Sequence, residues 1–191
     1  MGAPTVIRTR TRLLGVLAFT VALAGCGGSS SSQPAATTQQ SAPNVADAMQ
    51  ALIKTAPSLA GTVRTLFQET SWAVVETRSG NHASAVAFHL IGGHWQPETT
   101  GSVKVEILGP APGARAPLQP QVAAAVSAPT RLVDTGLWID GGALVAKGAG
   151  SPTSGTIYGA PLTELARGRH VAVAYARTAS AATAVAWVFN V

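Results

Sequence analysis

From Val103 to Val191 the chain is a succession of short β-rich segments broken by turn residues, and this limits the fold more than any other feature. Val103, Val105 and Ile107 alternate with Lys104 and Glu106, and Pro110, Pro112, Pro117 and Pro120 break the next stretch. Strand chemistry resumes over 121–128 and 132–139, turns at Asp140-Gly141-Gly142, and continues over 143–147, 155–158, 170–177 and 183–191. Val185, Trp187, Phe189 and Val191 alternate cleanly, as in a strand with one face on a core. Short strands with frequent turns predict an antiparallel β-sandwich over residues 103–191. Cys26 is the only cysteine, so apolar burial has to hold the fold without a disulfide.

Residues 44–101 read differently. Val45, Ala48, Met49, Leu52 and Ile53 form the stripe of an amphipathic helix. Asn44 is placed to cap it, and Pro57 ends it. Ser58 is expected to cap a second short helix carrying Leu59, Val63, Leu66 and Phe67. Strands over 72–77 and 84–91 come next, joined by a turn at 78–81, and Gly92-Gly93 leads into a third over 94–96. The expected fold is mainly β: a small α+β module, one or two helices on a meander, over 44–101, then the sandwich from 103. The boundary falls near Gly101-Ser102.

The N-terminus carries an export pattern. Arg8, Arg10 and Arg12 precede an uncharged run, Leu13 to Leu23, too short to span a bilayer. Leu23-Ala24-Gly25-Cys26 resembles the lipobox of bacterial lipoproteins. The resemblance implies a signal peptide over 1–25, lipidation of Cys26 with fatty acyl (palmitate-type) chains, and anchoring to a membrane on the extracytoplasmic side of the cell envelope. Gly27-Gly28, four serines and a Pro/Ala/Thr/Gln stretch up to Pro43 read as a flexible tether, 26–43. Loss of the signal also removes three arginines, so the formal charge falls from +5 to +2. No basic stripe then argues for nucleic acid.

A second resemblance lies in the C-terminal half. Pro110-Ala111-Pro112-Gly113, residues 121–129 and Trp138-Ile139-Asp140-Gly141 are similar to the first half of bacterial immunoglobulin-like domains. Leu165-Ala166-Arg167-Gly168-Arg169-His170-Val171 resembles their penultimate strand, and Trp187-Val188-Phe189-Asn190-Val191 their closing one. The likeness covers about 103–191 and implies adhesion, spacing or ligand presentation, with no catalytic residues. His170 is at a family-typical position and reads as structural.

Sharper chemistry has few candidates. Asp134-Thr135-Gly136 matches the Asp-Thr-Gly of aspartic proteases, which pair two carboxylates around one proton. A retropepsin-like half would use Asp134, yet Leu137 stands where that family has a small residue. His82, His89 and His94 lie in one meander near Glu98, but hairpin parity is expected to set His89 and His94 on opposite faces, against a zinc site. Trp95 and Trp138 are the aromatics open to a binding role. No Gly-x-Ser-x-Gly elbow or P-loop occurs. No catalytic residue, cofactor or metal site is assigned. The expected function is a non-catalytic binding, adhesion or spacer module, anchored through Cys26, with an envelope protein or glycan as partner. The competing class is an enzyme or metal site in the N-terminal module, or the Asp134 protease.

Overall fold

The computed structural model describes residues 43–191. The signal segment, Cys26 and the tether as far as residue 42 lie outside them. The described residues belong to one compact unit, Ala42–Val191. It is mainly β, with one α-helix and three antiparallel four-stranded sheets among the described residues.

Helix α1 (Val45–Thr55) starts where the sequence places it. The Asn44 side-chain oxygen accepts from the Ala46 N–H at 3.0 Å, and Val45 and Met49 are fully buried. The strands are β1 (Thr62–Gln68), β2 (Trp72–Ser79), β3 (His82–Ile91), β4 (His94–Pro97), β5 (Lys104–Gly109) and β6 (Val122–Ser127). They continue with β7 (Asp134–Ile139), β8 (Gly142–Ala143), β9 (Lys147–Ser151), β10 (Ser154–Gly159), β11 (Arg169–Arg177) and β12 (Ala182–Asn190). The first sheet has the order β1-β2-β3-β4, the central sheet β12-β11-β7-β8, and the distal sheet β5-β6-β10-β9.

Three apolar cores join these layers. Met49, Val45 and Leu52 of the helix pack on Ala73, Val75, Phe88 and Trp95 of the first sheet. The opposite face of that sheet, with Trp72, Val74 and Ala87, packs on Trp138, Val171, Val173 and Tyr175 of the central sheet. The far face of the central sheet, with Leu137, Ala172, Ala174, Trp187 and Phe189, meets Val122, Ala124, Val126 and Ile157 of the distal sheet. The central sheet is thus covered on both faces, and residues 170–176 of β11 are buried without a break. Alanines allow this: Ala83, Ala85 and Ala87 oppose Ala182, Ala184 and Ala186.

Several expectations need correction. The second helix does not form; a 3-10 turn, Pro57–Leu59, leads directly into β1. A register shift between Thr65 and Phe67 breaks the strand's two-residue period. Val63 therefore joins the helix-side core, and Leu66 and Phe67 join the opposite one, a spacing that imitates a helical stripe. The expected strand 143–147 is split. Gly142–Ala143 pairs with β7, and Lys147–Ser151 pairs with β10 in another sheet. Strand β12 buries both faces rather than one, since Ala184, Ala186 and Val188 also pack against the first sheet. The change at residues 101–102 is a change of sheet, but the two halves share the core between the first and central sheets.

Candidate functional site: polar clusters between the sheets

Two groups of charged side chains flank the core between the first and central sheets. The first gathers where β7 turns into β8. Asp140-Gly141 is a two-residue hairpin turn with both residues at positive φ, 51° and 82°, which the Asp-Gly pair accommodates. The turn presents the Asp140 carboxylate to three donors. Its Oδ1 accepts from the Val171 N–H at 3.0 Å and from Arg78 Nη1 at 2.9 Å, and its Oδ2 lies 2.6 Å from His170 Nδ1. Arg78 Nε donates to Glu76, which is buried to 1% exposure, and Arg64 Nη1 donates to the Asp140 carbonyl. Burial pushes the Asp140 carboxyl up. The Val171 N–H, the His170 ring and Arg78 outweigh it and hold the carboxyl below the usual carboxylate range. Burial also works against the Arg78 charge, but Glu76 and Asp140 prevail and raise it.

His170 Nε2 lies 2.8 Å from the Ala166 carbonyl oxygen, which can only accept, so that nitrogen carries a proton. Its other nitrogen faces Asp140. Both ring edges are occupied, and neither is left to accept a proton from a substrate.

The second group lies at the opposite end of β7 and β11. Arg177 is 3.6 Å from Glu69 Oε2 and 3.7 Å from Asp134 Oδ2, ion-pair distances too long for hydrogen bonds. Asp134 also accepts from the Thr135 N–H at 2.9 Å. Burial raises the Asp134 carboxyl above its ordinary value, partly offset by Arg177 and that N–H. The Tyr175 hydroxyl is buried nearby, and its ionisation is pushed up by that burial.

Asp134, the protease candidate, therefore faces an arginine. The meander histidines need a correction. Ile91 is directly opposite His94, and His89 is opposite Gln96, so His89 and His94 share one face of the first sheet. Directly opposed residues always do. His89 is stacked on Trp72, with ring centroids 4.0 Å apart. Among the described residues, no group of three or more His, Cys, Asp or Glu is placed to hold a metal ion. Trp95 and Trp138 are core residues, 8% and 6% exposed, and Trp95 Nε1 donates to the Pro43 carbonyl. Hollows of about 320 Å³ and 240 Å³ lie beside β3 and on the outer face of the distal sheet, away from both charged groups. The Glu76–Arg78–Asp140–His170 chain was not expected as a unit. Its visible traces were the Asp-Gly turn and the lone His170; Arg78 is 62 residues from Asp140 in sequence.

The described body is thus a mainly β protein of stacked antiparallel sheets with one helix. No family model matches the chain, and no curated protein matches it. Among solved structures, the crystal structure of Dpr2 Ig1-Ig2 in complex with DIP-Theta Ig1-Ig3 is similar to it. The identity is 11% and the TM-score 0.35, over 62% of this chain and 40% of that one.

Proposed function

We propose that the chain is a lipid-anchored protein of a bacterial cell envelope. Cys26 is the anchor, and the body is a non-catalytic binding, adhesion or spacer module on the extracytoplasmic side. In this reading residues 103–191 form an immunoglobulin-like sandwich. Strand order supports it: β5-β6-β10-β9 packs on β12-β11-β7-β8, the arrangement of the two sheets in such domains with one extra edge strand. A parallel bridge from Arg115 to Asn190 adds a strand-like contact on the free side of β12.

The observation that carries the non-catalytic reading is how the titratable side chains are used. Glu76, Arg78, Asp140 and His170 are bonded in a chain at the β7–β8 turn, with both His170 nitrogens occupied. The test has two arms. Cys26→Ser should move the protein from the membrane to the soluble fraction, and intact mass of the wild type should show an acyl increment that the variant lacks. Membrane retention of the variant, with no acyl mass on the wild type, sinks the anchor. Purified protein should not cleave peptides at acidic pH. Cleavage abolished by Asp134→Asn would replace this reading with the protease.

A further inference from the structure

Three backbone segments are tied together at one end of the body. Gly168 and Val191 exchange two hydrogen bonds, at 3.1 and 2.8 Å. Arg115 bridges Asn190 on one side, and Arg169 pairs with Asn190 on the other. The Leu165 N–H donates to the Leu118 carbonyl at 2.8 Å. The row Arg115–Asn190–Arg169 crosses the sheet, so its two arginine side chains leave on one face. Arg167 lies two residues before Arg169, and all three arginines are exposed and without an ion pair among the described residues. Glu164 is the acid within the same loop. Two exposed leucines sit among the arginines: Leu118 at 37%, and Leu162, 90% exposed.

From this juxtaposition we propose that the Arg115/Arg167/Arg169 end, with Leu118 and Leu162, is a docking surface for an anionic lipid bilayer. The choice of occupant rests on charge and shape. Unpaired arginines seek anions, and each is worth about five-fold in partitioning near an anionic surface. The two hollows lie elsewhere, and a bilayer accepts a protruding leucine without a matching pocket. The proposal builds on the lipid-anchored reading, because an anchored body meets the bilayer at high effective concentration and needs only weak contacts. The roughly 17 residues from Cys26 to Pro43 reach at most about 60 Å, roughly twice the length of nine-residue β11. The anchor therefore leaves this end free to face the lipid.

Co-sedimentation of the unit Ala42–Val191, which encloses all three cores and lacks Cys26, tests the surface independently of lipidation. The probes are phosphatidylcholine vesicles with and without phosphatidylglycerol. Binding should require phosphatidylglycerol, weaken with salt, and drop about five-fold for each of Arg115→Gln, Arg167→Gln and Arg169→Gln. Leu162→Ser, a loop change with no buried partner to lose, should lower it by up to about ten-fold. Circular dichroism confirms that each variant is folded. No binding to anionic vesicles, equal binding to neutral ones, or a triple arginine variant that binds like the wild type would each overturn the proposal. Binding to polyglutamate but not to vesicles would overturn it in favour of an acidic protein partner.

Discussion

Arg78→Met removes the cation that joins Glu76 of the first sheet to Asp140 at the end of the central one. The loss can be worked from its partners. Arg78 donates Nε to Glu76 and Nη1 to Asp140. Asp140 keeps the Val171 N–H and His170, but Glu76 is 1% exposed, with its second oxygen unbonded among the described residues. Removing one partner of a buried pair costs about 3–5 kcal/mol, chiefly because the other charge stays buried alone. Arg78 is 29% exposed at its side chain, so the lower end, about 3 kcal/mol, is expected. A typical domain has only about 5–15 kcal/mol in all. Met keeps most of the stem's packing, so the loss reports the charge. Glu76→Gln in the same background removes the stranded charge and should return at least half of the loss. Urea denaturation of the wild type, both single variants and the double variant measures this coupling directly. An Arg78→Met protein within about 1 kcal/mol of the wild type, with no coupling to Glu76, would refute the reasoning; the cluster would then be surface decoration.

Trp187 is 3% exposed in the core between the central and distal sheets, and its Nε1 donates to the Pro110 carbonyl at 2.8 Å. Trp187→Ala should cost about 3–5 kcal/mol by chemical denaturation; unchanged stability would remove that core. Asp140 and Asp134 should show opposite pH behaviour. The Asp140 carboxyl is held low by its partners, so its contribution is complete above the ordinary carboxylate value of about 3.9 and is lost as pH falls through its lower folded-state value. The stability gap between wild type and Asp140→Asn should therefore stay constant from neutral pH down and close only in strong acid. Asp134 is raised, so its contribution is present in acid and is lost as pH rises through its folded-state value. Asp134→Asn should gain relative to wild type over that rise, and stay within about 1 kcal/mol of it at neutral pH.

Most of the strands were marked by local signals. Gly92-Gly93 and Asp140-Gly141 set two hairpins in register, and the Asn44 cap and Pro57 bounded the helix. Strand β1 was obscured by its bulge, which turned a two-residue period into an apparent helical one. Layering was hidden for a different reason. The alternation of Val185, Trp187, Phe189 and Val191 advertises one buried face, whereas Ala182, Ala184 and Ala186 on the other are too small to declare theirs. Alanine is neutral on periodicity, yet it is what lets two sheets approach. Glu76 and Arg78 are two apart on β2, but Arg78 meets Asp140 across 62 positions and Asp140 meets His170 across 30, and no local pattern encodes such a meeting.

Native-state hydrogen exchange tests most directly whether the helix and three sheets are one cooperative body. Amides of β2 in the first sheet and β11 in the central sheet face each other across one core. If that core is shared, the slowest amides of both strands open only by global unfolding, with free energies equal within about 1 kcal/mol. Slow β11 amides alongside β2 amides that open several kcal/mol more easily would contradict this. Residues 44–101 would then be a separate module resting on an independent domain.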